Sequence, residues 1–290
     1  MKQIAIIGTT ASGKTALALD IASKRDAIIL SLDSLSVYKE IDIASAKPTK
    51  EERGDIVHFG MDEVYPNETF DVLEFIECYN KAKTYAQKHQ KNLIIVGGTG
   101  FYLKTLIDGI SLGITTNEPL DIPVLEAYEI LNALDEKYMQ KIEKNDKYRI
   151  EKAYNIYKQT KLSPSEYFLK YPKKPFVEDL PIFEISWEVE ELRKRIALRT
   201  KQMLNQGLID EVIFLEKKYS RLPNCMSSIG IIETLDYLDG KLSKVQLEEK
   251  IATNTAQLAK RQRTFNKSQF GNKQVKNILN SLNLDILKIF

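Results

Sequence analysis

An apolar run, Ile4–Ile7, leads directly into Gly8-Thr-Thr-Ala-Ser-Gly-Lys-Thr15, and a helix-like stretch, Ala16–Ala22, follows. No other feature constrains this chain as strongly. Glycines at 8 and 13 let the backbone curl until successive N–H groups face one anion, and the helix start adds partial positive charge. Strand, glycine turn and helix in that order make a phosphate-binding loop. The expected site for a ligand with linked phosphates is therefore Gly8, Thr9, Thr10, Ala11, Ser12, Gly13, Lys14 and Thr15. Lys14 is placed to reach the outer phosphate, and the Thr15 hydroxyl to ligate Mg²⁺.

Further apolar runs at Ala27–Leu32, Leu93–Val96 and Ile182–Trp187 read as buried strands, with helices at Thr15–Lys24 and Val72–Gln90. Strands alternating with helices imply a parallel sheet covered on both faces. The stretch Pro119–Tyr171 has no strand candidate and an apolar spacing near 3.6, so it reads as several helices. Tyr171-Pro-Lys-Lys-Pro-Phe closes it, since paired prolines break helices. The expected fold is α/β, a P-loop NTPase-like parallel sheet flanked by helices, with an all-helical insertion. Residues 1–112 and 180–290 are assigned to the core and 113–179 to the insertion. Beyond the last strand candidate, Glu188–Gln206 reads as one long helix ended by Gly207, and the chain closes in basic helices.

The 290 residues suffice for one large core with an inserted lobe. Net charge is only +2, which excludes a general polyanion binder, but its distribution is uneven. From Lys241 to Phe290 ten Lys or Arg face three Asp or Glu, a net +7 there and −5 elsewhere. Such a tail suits a nucleic-acid partner, or a solvated helix surface. Cys78, Cys225, His58 and His89 stand isolated, which excludes a zinc site or disulfide framework. The opening apolar run is too short for a signal peptide, and nowhere do the roughly 18 apolar residues of a bilayer span occur. A cytoplasmic chain with no membrane contact is expected, and a monomer, since nothing calls for assembly.

Nucleoside-triphosphate hydrolases usually end a neighbouring core strand with an Asp that holds Mg²⁺ through water. Here Leu93–Val96 runs into Gly97-Gly-Thr-Gly100 instead, offering close backbone approach and the Thr99 hydroxyl. The acid stands at the tip of the second strand, in Leu30-Ser-Leu-Asp33-Ser34. Asp33 is either a general base at the carboxyl edge of the sheet, where ligands bind, or a cap. Arg195 and Arg199 are four apart, hence on one helical face. They either meet a phosphate or pair with Glu191 and Glu188. A nucleoside or nucleotide kinase fits these features, as does an RNA-binding switch that binds nucleotide without a covalent product.

Six segments, taken together, narrow the choice. Gly8–Ala18, Asp33-Ser-Leu-Ser-Val-Tyr-Lys39 and Asp42-Ile-Ala-Ser-Ala-Lys-Pro48 together resemble the tRNA dimethylallyltransferase family. Gly97-Gly-Thr-Gly-Phe-Tyr-Leu103, Arg195-Ile-Ala-Leu-Arg199 and Gln257-Leu-Ala-Lys-Arg-Gln262 continue the likeness in the same order, from residue 2 to about 267. The resemblance implies transfer of a dimethylallyl group from dimethylallyl diphosphate to N6 of the adenosine 3′ of the anticodon. It implies catalytic roles for Asp33 as base, Thr99 near the reacting groups, Lys14, and Arg199 ahead of Arg195 on the pyrophosphate.

The tRNA anticodon stem-loop is the implied partner, and Mg²⁺ the implied cofactor. Asp33, Ser34, Leu35 and Ser36, with Thr99, match the base-contacting stretch. Tyr148, Arg149, Ile150, Glu151 and Lys152 match a tRNA contact in the insertion, and Lys260, Arg261, Gln262 and Arg263 a basic C-terminal one. The chain departs from the family at Thr9, commonly Pro, at Ser228 and Ala256, where basic residues are common, and at Phe265, commonly Trp. A weaker C-terminal grip on tRNA is expected from these changes.

Overall fold

The computed structural model describes residues 1–111, 118–270 and 275–278. β1 (Gln3–Gly8), α1 (Lys14–Lys24), β2 (Ala27–Ser31), α2 (Lys50–Arg53), β3 (His58–Phe59), α3 (Val72–Lys88), β4 (Asn92–Gly97) and α4 (Gly100–Asp108) come first. The insertion contributes α5 (Val124–Leu134), α6 (Glu136–Met139), α7 (Lys147–Thr160) and α8 (Pro164–Lys170). β5 (Ile182–Ile185), α9 (Val189–Asn205), α10 (Leu208–Tyr219), α11 (Ile231–Leu238), α12 (Lys244–Phe270) and β6 (Val275–Ile278) follow.

The strands form one sheet in the order β3-β2-β4-β1-β5-β6, every pair parallel. This is the α/β, P-loop type of sheet. Near-continuous Ile, Leu and Val in β1, β2 and β4 suit strands buried on both faces. On one face Ile4, Ile6, Ile29, Ile94, Val96 and Phe183 pack with Ala18, Ile21 and Ala22 of α1. β1 lies between β4 and β5, so the turns after β1, β2 and β4 emerge at one edge, the carboxyl end. Phosphate loop, Asp33 and Thr99 occupy those three turns.

The chain divides into Met1–Lys104 with Asp179–Phe290, and Thr105–Glu178. The division falls inside α4, eight residues before the expected 112/113 boundary, which itself lies outside the described residues. The cause is backbone pairing: the Leu106 carbonyl accepts from Phe176 and Val177, and Ile110 bridges Lys174. The second unit is helical apart from that bridge among the described residues. Its core is Ala127, Tyr128, Leu131, Met139, Ile142, Ile150 and Ala153.

Two strands escape a reading by apolar runs. β3 has only two residues, and β6, Val-Lys-Asn-Ile, is half polar.

Candidate active site

The turn after β1 reaches α1 through Gly13 at φ 91, a left-handed conformation that glycine adopts without cost. No described side chain caps α1 and its first turn holds no acid, so its opening N–H groups are left for an anion. Ala11, at φ 60, is also left-handed, an unfavourable state for a residue with a Cβ. Two side chains brace it from α9 and the end of β5. Arg195 donates from Nε to the Ala11 carbonyl at 2.9 Å, and Trp187 from Nε1 to the Ser12 carbonyl at 3.0 Å. The Arg195 guanidinium lies 4.4 Å over the Trp187 ring, a cation–π pair that stiffens both.

One turn further along α9, Arg199 donates from Nη1 to the Thr10 hydroxyl at 3.0 Å. The two arginines therefore separate. Arg195 holds the loop's backbone from behind, and Arg199 lines the site. Neither makes the alternative ion pair: Glu190 pairs with Arg193 and Glu191 with Lys194.

Lys14 folds back, donating from Nζ to the Thr9 carbonyl at 2.6 Å. Burial first, and the Arg199 charge second, lower its ammonium to about 8, with Asp33 opposing them. Burial likewise works against the Arg199 charge while Asp33 supports it. A bound polyanion would favour both charged forms, as Asp33 already does in part.

Asp33 caps a turn and also faces the site. Its Oδ1 accepts from Leu35 N at 2.9 Å and Ser36 N at 3.2 Å, capping a turn. No described group hydrogen-bonds Oδ2, and the residue lines a cavity of about 440 Å³. Thr99 locks onto the same turn, its N–H donating to Leu32 at 3.0 Å and its Oγ1 accepting from Ser34 N at 3.3 Å.

Thr10, Asp33, Ser34, Thr99, Arg199 and Gln262 are among the polar groups lining that cavity, and Leu35, Ile196, Met203, Ile229, Ile251 and Leu258 are its large apolar ones. A larger groove of about 670 Å³ runs along α9 and α12 and shares Ile196, but no phosphate-loop residue lines it.

Gln262 differs from the basic residues around it: it accepts from Thr10 N at 2.8 Å and donates to Gly98 O at 3.1 Å. α12 thereby bridges the loop after β1 to the turn after β4. A Cβ on Gly98 would lie 2.5 Å from Gln262 Nε2, so a larger residue there would displace that amide. Lys260, Arg261 and Arg263 are exposed, being off the inward stripe that runs Leu258, Gln262, Asn266 at helical spacing.

Two more expected RNA contacts are buried. Ser36 is 4% exposed and Ile150 0%, the latter within the insertion's core. Leu35 packs against an apolar cluster. Ser34 is exposed, as are Arg149 and Lys152, and Glu151 is half-buried. Tyr148 is 70% exposed rather than packed, with Lys152 Nζ 5.6 Å over its ring, while Arg149 pairs with Asp146 at 3.0 Å. Ser228 lines the site cavity and Ala256 the larger groove. Trp187 was not anticipated, although its being the chain's only Trp, directly after β5, was a signal.

Residues 36–269 match the family model described as IPP transferase. The tRNA dimethylallyltransferase of Aliarcobacter butzleri (strain RM4018) is 70% identical over 290 residues, covering 100% of this chain and 99% of that protein. The protein of the same name from Sulfurovum sp. (strain NBC37-1) is 55% identical over 280 residues, 94% and 93% of the two chains. Among solved structures, a eukaryotic dimethylallyltransferase acting on tRNA aligns with TM-score 0.83 at 26% identity, over 100% of this chain and 78% of that one. The tRNA delta(2)-isopentenylpyrophosphate transferase of Staphylococcus epidermidis aligns with TM-score 0.70 at 29% identity, over 99% and 98%.

Proposed function

The chain belongs to the IPP transferase family, and on that footing we propose that it is a tRNA dimethylallyltransferase. It transfers a dimethylallyl group from dimethylallyl diphosphate to the exocyclic N6 of the adenosine 3′-adjacent to the anticodon, releasing diphosphate. One observation carries the reading: Thr10 of the phosphate loop shares its cavity with a carboxylate-bearing turn and with six large apolar side chains. An allylic diphosphate needs all three. Relatives named tRNA dimethylallyltransferase, matched over nearly the whole chain, favour this reading over a nucleotide kinase.

In the reaction the N6–C1 bond forms as the C1–O bond to diphosphate breaks, and N6 loses a proton. The leaving charge falls to Lys14, Arg199 and the N–H groups opening α1, donors fixed before the reaction begins. The N6 lone pair is delocalised into the purine, but N6 turns acidic as alkylation proceeds. Asp33 Oδ2 is then a sufficient base, while Oδ1 keeps the turn in place. Proton transfer by a placed group is typically worth about 10²–10⁴-fold. Thr99 holds the Asp33 turn through Ser34. The apolar lining keeps water from the allylic carbon. The target base has to leave its stack to reach the cavity.

The donor set suits Mg²⁺. No cluster of three acidic or His/Cys ligands occurs among the described residues, and Mg²⁺ commonly takes one or two protein ligands with substrate phosphates and water. The buried Ser12 hydroxyl, with no described hydrogen-bond partner, adds an unsatisfied oxygen to the loop. Thr15 would hold the ion, which when bound would neutralise diphosphate charge. Arg149 and Lys152 in the insertion, and Lys260, Arg261 and Arg263 on α12, are proposed as phosphate contacts on the anticodon stem-loop. No described helix is long and apolar enough to cross a membrane. A cytoplasmic monomer is the proposed working form.

Mass spectrometry of tRNA nucleosides, after incubation of unmodified tRNA with dimethylallyl diphosphate and Mg²⁺, tests the proposal. It requires an adenosine gaining one dimethylallyl group. Acceptor-dependent phosphoryl transfer from ATP, with no such nucleoside, would replace it.

A further inference from the structure

Glu211, in the first turn of α10, accepts three backbone N–H groups from one loop. Asp42 N and Ile43 N donate to Oε2 at 2.9 and 2.7 Å, and Ala44 N to Oε1 at 2.9 Å. Successive N–H groups converging on a carboxylate form the arrangement by which backbone holds an anion. Here the chain supplies the anion itself. The loop that Glu211 grips is the one that leaves β2 at Asp33. Its Leu35, Ala44 and Ser45 line the site cavity.

This loop needs holding. Glu40 at φ 64 and Ala46 at φ 49 are left-handed without being glycine. Lys47, its side chain 3% exposed, donates to Tyr38 O at 2.5 Å and pairs with Asp42 at 3.0 Å and Asp62 at 2.7 Å. At the far end of α10, Lys218 and Tyr219 each reach Glu40 at 2.7 Å. α10 thus grips the loop twice, but only the Glu211 grip falls on the segment that forms the cavity wall.

We infer that Glu211 is a positioning residue for the transfer reaction: its triple acceptance fixes Ala44 and Ser45, and with them the wall against which the reacting groups lie. The inference rests on the transferase reading above. It assigns to α10, which contributes no residue to the cavity lining, a share in the geometry of bond formation.

The test is single-turnover transfer with donor and tRNA both saturating, scored separately for rate constant and amplitude. Glu211→Gln keeps one acceptor oxygen but turns an NH₂ donor toward backbone donors. Its rate constant is expected to fall by about 10–100-fold, since small misplacements cost up to roughly that much. Amplitude and donor affinity should stay within about twofold of wild type. Glu211→Asp, which keeps the charge on a shorter stem, should recover part of the rate. Lys218→Ala loosens the other grip, leaving only Tyr219 on Glu40, and should leave the rate constant unchanged.

The inference is overturned if Glu211→Gln lowers only amplitude or melting temperature, which is the signature of a purely structural residue. It is overturned equally if Lys218→Ala slows transfer as much. Absence of product with the wild-type chain would instead remove the transferase reading.

Discussion

Arg199 Nη1 donates to the Thr10 hydroxyl at 3.0 Å, joining the middle of α9 to a phosphate loop 189 residues earlier in the chain. One turn before it, Arg195 spends its Nε on the Ala11 carbonyl. Two arginines on one helical face therefore meet different parts of the loop, Arg195 its backbone and Arg199 a side chain at the cavity.

Replacing each by alanine should separate the two roles. Arg199→Ala is expected to slow transfer at saturating donor by about 10²–10³-fold, the cost of removing one transition-state donor. Arg195→Ala releases the left-handed Ala11 and unstacks Trp187, so it should lower the melting temperature and weaken donor binding, with a smaller effect on the saturated rate. Thermal unfolding and single-turnover kinetics on both variants check this. The reverse pattern would exchange the assignments.

Lys14 sets a pH dependence. With its ammonium lowered to about 8 by burial and by Arg199, the free enzyme loses that charge as pH rises through 8 and keeps it below. Diphosphate binds the charged form, so kcat/KM for the donor should be flat below pH 8 and fall roughly tenfold per unit above it. Bound diphosphate favours the ammonium, so kcat should begin its fall at higher pH. A kcat/KM profile flat to pH 10 would detach Lys14 from the donor.

Much of this site was legible because its parts sit in local patterns. The strand–glycine–helix order placed residues 8–15, and the glycine pair after β4 placed Thr99. Asp33 was visible as the one acid at a strand tip. What local pattern could not supply was partnership over distance. Gln262 sits among Lys260, Arg261 and Arg263, and only the packing of α12 against two turns reveals that it faces inward. Ser36 and Ile150 looked like contacts by motif, yet each lies on the buried side of its turn or helix. Glu211 resembles any acid in a helix's first turn until the loop at Asp42–Ala44 folds over it.

Gln262 offers a direct check on that inward role. Gln262→Glu keeps the acceptor for Thr10 N but sets a carboxylate oxygen against Gly98 O. Losing a partnered polar contact in this setting costs about 1–3 kcal/mol. Donor affinity and melting temperature should both fall. The salt dependence of tRNA binding should not change, as it would if Gln262 met the RNA.

The exposed cations should behave differently. Neutralising Arg149, Lys152, Lys260 or Arg261 is expected to reduce the magnitude of the log K against log salt slope by about one each, with little effect on saturated transfer. Ile150→Ala, in the same segment but fully buried, should instead destabilise the insertion by about 2–5 kcal/mol. Titration of tRNA binding across salt, with denaturant unfolding alongside, distinguishes the two classes.

Asp33→Asn tests the central claim most directly. Asn keeps an Oδ1 that can still cap Leu35 and Ser36, so the turn, the cavity and the binding of both substrates should survive. It cannot take the proton that alkylated N6 must lose. Single-turnover transfer with both substrates saturating should therefore slow by about 10²–10⁴-fold, with tRNA and diphosphate affinities close to wild type. A wild-type rate in this variant would contradict the account and leave Asp33 as a turn cap.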